Sequence, residues 1–304
     1  MPGVHFGCKH KGLGLSSPTM DLTIRAARPE DAPICGPICY QAFKHINNAH
    51  NFPPDFPNPE MAVGLLTTMI AHPEIYVVVV ERDGRVIGSN AMDERAPIGG
   101  IGPITVDPTV QNRGVGRALM QHMLDRAAAR KFPGVRLVQA AFHNRSLSLY
   151  TTLGFDPREP LSCLQGAPLN ATIPGFAVRA ATAADLEACN HLCLRVHGHT
   201  RSGELRDAVR SNTARVVERH DRITGYATGI AFFAHAVAET NDDLKALIAA
   251  APAFLGPGFL VPTRNAELLR WCLNQGLRIT QPMTLMSVGL YNQPQGAWLP
   301  SIAF

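Results

Sequence analysis

Apolar and polar positions along this chain switch between a period of two and a period near 3.6, and the switches mark its elements. Val79–Gly88, VVERDGRVIG, reads as strand, tight turn and strand, with Asp83-Gly84 as the turn. Val216–Gly225, VVERHDRITG, reads the same way with a weaker turn at His220-Asp221. A strand is expected over Gly102–Val106 and a helix from about Gly114. On that helix Val115, Leu119, Met123 and Ala127 share one stripe, while Arg117, Gln121, Asp125 and Arg126 fall mostly elsewhere.

The two hairpins belong to a wider duplication. IRAARPEDAPICGPIC (Ile24–Cys39) matches VRAATAADLEACNHLC (Val178–Cys193): Arg25 and Arg179, Asp31 and Asp185, Cys35 and Cys189, and Cys39 and Cys193 are each 154 positions apart. Thr182 is a fair helix N-cap. More loosely, Phe142–Phe155 and Pro262–Leu277 each place an Asn at a strand-to-helix junction and end a short helix at a glycine, Gly154 or Gly276. Three matches in one order predict two copies of one mixed α/β fold with a partly antiparallel sheet flanked by helices. The expected boundaries are a mobile tail over 1–20, a first domain over 21–160, a linker over 161–175 and a second domain over 176–304.

Composition fits two globular domains: 304 residues, 46% hydrophobic and 17% charged, with formal net charge +4. That mild excess suits a small anion. No run of five Lys or Arg argues for nucleic acid. No stretch of about 20 apolar residues predicts a membrane span, and the first nineteen residues lack the apolar core of a signal peptide. The seven cysteines include no C-x-x-C, so buried reduced thiols, a cytoplasmic setting and no metal are expected.

The chemistry concentrates in Gln111-Asn112-Arg113-Gly114-Val115-Gly116, between the expected strand and helix. A helix N-terminus offers unpaired N–H groups and partial positive charge to an anion. Two glycines allow close backbone approach, and Arg113 and Arg117 add charge. The spacing is neither a Walker A loop nor G-x-G-x-x-G, and it predicts a pyrophosphate cradle.

With Val106-Asp107-Pro108 before it and Asn144, Tyr150 and Leu153-Gly154-Phe155 after it, this turn resembles the signature of the GCN5-related N-acetyltransferase (GNAT) family. The resemblance covers roughly residues 21–160, with a weaker echo over 176–291. It implies acetyl-CoA as co-substrate and direct attack of an amine on the thioester. By position, the backbone of Ile104, Thr105 and Val106 would hold the pantetheine arm and the acetyl carbonyl. Amides of Gln111 through Arg117 would bind pyrophosphate, Asn144 would contact the cofactor arm, and Tyr150 would protonate the departing thiolate.

The second copy has no Q-x-x-G-x-G. Its strand is expected at Ile230–Val237 and its helix at Leu244–Ala251, with Glu239, Asp242 and Asp243 where pyrophosphate would sit and Trp271 in the place of Tyr150. It is therefore expected to be degenerate and to serve structure or substrate definition. The resemblance further implies that the acceptor, a primary amine of a small molecule or peptide, lies over Tyr40–Pro59, where Asp55 could pair with an ammonium. Glu94, with Asp93, is the candidate general base, placed on the acceptor side. A homodimer is compatible with this reading. The alternatives are a non-catalytic acyl-CoA-binding sensor and a nucleotide-binding module using the same turn.

Overall fold

The computed structural model describes residues 22–303; the tail expected over residues 1–20, with Cys8, lies outside the described residues. The first run of elements is β1 (Thr23–Ala26), α1 (Ala32–Ala49), α2 (Pro59–Ala71), β2 (Ile75–Arg82), β3 (Arg85–Asp93), β4 (Gly99–Ile101), β5 (Thr105–Val106), α3 (Val115–Ala129), β6 (Gly134–Ala140), α4 (Asn144–Thr152) and β7 (Asp156–Gln165). The second repeats the order: β8 (Ala177–Ala180), α5 (Leu186–His197), α6 (Ser202–Arg210), β9 (Arg215–Arg219), β10 (Arg222–Ala227), β11 (Ala236–Ala238), α7 (Asn241–Ala249), β12 (Phe259–Pro262), α8 (Ala266–Asn274) and β13 (Arg278–Gly289). One strand, β14 (Ala297–Leu299), follows.

The duplication extends to side-chain chemistry. Arg25 donates to Asp31 at 2.7 and 2.9 Å and to Glu81 at 2.6 Å. Arg179 donates to Asp185 at 2.8 Å twice and to Glu218 at 2.6 Å. Each trio ties the first strand of its half to the start of the first helix and to the hairpin, through charge-assisted forked contacts. Both hairpin turns have positive φ at both central residues, 53° and 73° at Asp83-Gly84 and 52° and 56° at His220-Asp221. The weaker sequence signal therefore makes the same two-residue turn.

The strands form two sheets, with order β1-β2-β3-β4-β6-β13-β7-β12 (β5 beside β3) and β14-β11-β10-β9-β8. The halves exchange their last strands. β13 lies antiparallel between β6 and β7, with Leu285 opposite Val138 and Glu159, and β7 lies between β13 and β12. At the start of β12 a Cβ on Gly258 would stand 2.0 Å from the Leu164 carbonyl oxygen, so only glycine lets β7 pass there. Residues 161–165, expected as linker, are thus the end of a strand paired on both sides.

One core joins the halves. Leu161, Cys163, Met283 and Leu285 of the exchanged strands are buried against Leu192, Val196 and Leu205 of α5 and α6. Each fully buried leucine there contributes about 2 kcal/mol. Cys35 and Cys39 on α1 and Cys189 and Cys193 on α5 are buried and unbonded, as their i,i+4 spacing predicts. Burial pushes the Cys35 and Cys189 thiols up to about 12. No helix among the described residues is long and apolar enough to cross a membrane, and no group of three His, Cys, Asp or Glu converges there.

Candidate active site

The strand expected over Gly102–Val106 is interrupted at Gly102-Pro103. Before the interruption β4 runs parallel to β6, with Gly99 opposite Val135 and Gly100 opposite Arg136. After it β5 stays with β3, Val106 opposite Gly88 and Thr105 opposite Ser89, and among the described residues pairs with no other strand. The neighbours therefore splay. Ile104, Thr105 and Val106 line one side of the gap and the end of β6 lines the other.

The turn that follows is held from both ends. The Gln111 amide donates to the Val106 carbonyl at 3.1 Å, and Arg145 donates to Asn112 Oδ1 at 2.9 Å and Gln111 Oε1 at 3.1 Å. Asn112 and Gly114 have φ of 64° and 82°. This left-handed pair turns the chain sharply into α3, whose N-cap, Gly114, supplies no side-chain cap. The first backbone bond of the helix runs from Ala118 N to Gly114 O at 3.0 Å. The N–H groups of Val115, Gly116 and Arg117 consequently precede the helical ladder and face outward. A Cβ on Gly116 would make ordinary contact with Leu149 Cδ2 at 3.6 Å, whereas one on Gly114 would meet nothing. Gly114 is thus required by its φ and leaves open space. Arg113 is exposed at the turn, and Arg117 donates to Thr152 Oγ1 at 2.9 Å. The stripe Val115, Leu119, Met123 and Ala127 is buried, as its spacing predicts.

Across the gap, Asn144 opens α4 with an exposed side chain, and α4 has no side-chain cap either. Its counterpart helix α8 is capped by Asn265, which accepts from Leu268 N. Tyr150 is buried in the core beside Phe155, with ring centroids 6.2 Å apart. Burial raises its phenol well above the ordinary tyrosine value. Among the described residues, the Gln139 Nε2 of β6 is buried without a hydrogen-bond partner. Gln139 and Arg145 both escaped the sequence reading: Gln139 lies outside the matched segments, and Arg145 lies within Phe142–Phe155 but at no position shared with Pro262–Leu277. The basic residue next to Asn144 was the signal available for the second.

Glu94 corrects the sequence reading. It accepts from Arg126 of α3 at 2.5 and 3.0 Å and lies 3.5 Å from Arg130. Its carboxylate therefore faces α3 and is engaged in a largely buried ion pair. Asp93 is held by Arg95, which also reaches Asp207 of the second half.

The equivalent region of the second half is closed. Its strand is β11, shorter than the expected Ile230–Val237, and its helix starts at Asn241 rather than Leu244. By the shared hairpin register, Ala236–Ala238 corresponds to Ile104–Val106. There β14 covers the outer edge, pairing Leu299 with Ala236, Trp298 with Val237 and Ala297 with Ala238. The start of α7 is shut by a capping box in which Thr240 and Asp243 satisfy each other's backbone N–H groups. Asp243 is fully buried, and Glu239 is neutralised by Arg222 at 2.6 and 2.7 Å. Capping and a self-strand, more than exposed negative charge, close this half. The position of Tyr150 is taken by Cys272 and not Trp271: Phe155 N bonds to Tyr150 O, and Leu277 N bonds to Cys272 O in the same C-terminal motif.

Comparison with known proteins follows this geometry. Residues 42–155 match the profile of the Acetyltransferase (GNAT) family. The chain is 37% identical over 65 residues to a mycothiol acetyltransferase of Nocardia farcinica, covering 21% of this chain and 22% of that one. It is 28% identical over 103 residues to an IAA acetyltransferase of Azospirillum brasilense, covering 33% of this chain and 67% of that one. The architecture matches a candidate acetyltransferase from Pyrococcus horikoshii with a TM-score of 0.71, at 16% identity over 96% of this chain and 95% of that one. It also matches a tandem GNAT protein from the clavulanic acid biosynthesis pathway with a TM-score of 0.52, at 15% identity over 88% and 98%. The chain therefore carries a GNAT-family domain over residues 42–155, within a fold similar to that of a tandem GNAT protein.

Proposed function

We propose that this protein is an acetyl-CoA-dependent N-acetyltransferase with one working site, in the first half, that acetylates a primary amine. The observation that carries the reading is the contrast between the halves. The open edge at Ile104–Val106 and the uncapped start of α3 have counterparts in the second half that are both occupied by the chain itself.

The residues present fit acetyl-CoA. The free β5 edge suits an extended amide-bearing arm, which can pair with it as a strand does. The outward N–H groups of Val115, Gly116 and Arg117, with Arg113 beside them, suit a pyrophosphate. Gln139 Nε2 is a buried donor that a carbonyl in the gap would satisfy. Asn144 stands exposed at the far wall.

In the transfer, the amine nitrogen attacks the thioester carbonyl, a C–N bond forms and the C–S bond breaks. Tyr150, kept protonated by burial, gives its proton to the departing thiolate. Glu94 is ion-paired with Arg126, and the proton that the amine nitrogen sheds as the C–N bond forms passes to solvent water.

The test is calorimetric titration of the full chain with acetyl-CoA, followed by a screen of primary amines for coenzyme A release. One site per chain and amine-dependent release are expected. Binding without release from any amine would favour the acyl-CoA-sensor reading, and no binding would remove both.

A further inference from the structure

Most buried carboxylates of this protein face an arginine. Asp31 has Arg25, Glu94 has Arg126, Asp107 has Arg85, Glu159 has Arg264, Asp185 has Arg179 and Glu204 has Arg201. Asp55, in the loop between α1 and α2, is different. Its Oδ1 accepts from Gln281 Nε2 at 3.1 Å, and its other side-chain partner is the amide of Asn47. Both partners are neutral, and the buried thiols of Cys39 and Cys163 lie nearby. A carboxylate in such surroundings lacks the countercharge that normally offsets its lost hydration. Burial accordingly pushes Asp55 above the ordinary carboxylate range.

The surroundings are built rather than loose. Asn47 is buried and donates to the Pro53 carbonyl at 3.1 Å, which pins the loop to α1. Phe52 stacks on Phe142 with ring centroids 4.0 Å apart and planes 13° apart, and His50 lies 5.4 Å from the same ring. Phe142 is the second residue after β6, and the intervening Ala141 N bonds to Pro282 O, next to Gln281. The end of β6, which borders the splayed gap, the start of β13 and this loop thus form one wall. Asp55 remains partly exposed within it.

We propose that Asp55 receives the positively charged amine of the acceptor beside the Phe52–Phe142 stack, and that Gln281, supplied by the second half, sets its position. The matching ligand is a primary ammonium carrying a flat apolar group. The carboxylate supplies the missing charge partner and the rings cover the apolar part. The second half then shapes acceptor choice while holding no cofactor. The link to acetyl transfer rests on the function proposed above; the charge preference does not.

The test uses the full chain, with and without coenzyme A, titrated with 2-phenylethylammonium and with 2-phenylethanol, its uncharged counterpart. The wild type is expected to bind the ammonium at least about tenfold more tightly than the alcohol. Asp55→Asn is expected to erase that ratio while leaving coenzyme A affinity unchanged. Gln281→Leu, which leaves the carboxylate in place, is expected to reduce the ratio about threefold. A merely structural role would weaken both probes together. A wild-type ratio near one, absence of ammonium binding, or a ratio retained in Asp55→Asn would overturn the proposal. Failure of coenzyme A to bind would instead remove the acetyltransferase reading, and the ratio measured without coenzyme A would still decide this one.

Discussion

Trp298 stands directly opposite Val237 in antiparallel register, on the strand edge whose counterpart at Thr105 carries no such partner. Trp298 is buried and meets His197 edge-on, with ring centroids 5.5 Å apart. Because this edge is already paired, acetyl-CoA titration of the full chain should saturate at one equivalent. Trp298→Ala should cost about 3–5 kcal/mol of stability without changing that stoichiometry. Two equivalents in the wild type would contradict the assignment of the self-strand.

Gly116 separates binding from folding. Its φ lies outside the left-handed region, and a side chain there meets only the Leu149 methyl at ordinary distance. Gly116→Asp places a carboxylate in the first turn of α3, which should stabilise the unliganded protein by about 0.5 kcal/mol. The same charge should weaken acetyl-CoA binding by about 100-fold or more, as like charges do at close range. Melting temperature and affinity should move in opposite senses; a variant that loses both would point to misfolding.

Tyr150→Phe keeps the buried ring and removes only the proton donor. We expect kcat to fall by about 100-fold with acetyl-CoA affinity unchanged. Since burial raises this phenol, the wild-type rate should show no loss from its deprotonation below about pH 10. Single-turnover rates across pH, wild type against variant, would check both points.

Glu94→Gln removes the carboxylate that holds Arg126 and Arg130. Stability should drop by about 1–3 kcal/mol, by denaturant titration. The pH–rate profile should keep its shape, since the carboxylate faces α3. A loss of rate much greater at neutral than at high pH would restore Glu94 as a proton acceptor.

His199 is held neutral by burial, with its pKa down at about 4, beside His197 at 5.8 Å between ring centroids. In the unfolded chain a histidine titrates near 6.5. Between these values the unfolded state binds the additional proton. Stability should therefore fall as pH is lowered from about 6.5 to about 4, and this contribution is intact above that window. His199→Gln should reduce the slope of stability against pH in that window by about one proton. An unchanged slope would show that other groups carry it.

The parts legible in the sequence are those decided by near neighbours. The two hairpins, the Val115–Ala127 stripe, the glycine helix ends and the turn at Gln111–Gly116 each depend on a few consecutive residues. The Arg25–Asp31 and Arg179–Asp185 pairs keep one spacing in both copies, whereas the third members, Glu81 and Glu218, lie 56 and 39 positions from their arginines and were not read from the sequence. What escaped depends on long-range pairing. Nothing local in β7 or β13 says which strand lies beside it, and Ala297–Leu299 is too short to announce a partner. The ion pair of Glu94 was not legible because it depends on where Arg126 of α3 arrives. Trp271 was matched to Tyr150 because the two Asn signals start one helical position apart; the hydrogen bonds at Gly154 and Gly276 restore the alignment to Cys272. Asp55 was visible as an acid in a proline-rich loop, but its partner Gln281 is more than two hundred positions away.

The interleaving of β6, β13, β7 and β12 carries a consequence for assembly. Were the two halves separate molecules, each would finish its sheet only by finding the other, and their folding would depend on protein concentration. The peptide link makes that encounter intramolecular, at the high effective concentration set by a short tether. Unfolding of this protein should thus be independent of dilution, and a chain cut between the halves should regain a dependence that the covalent connection had abolished.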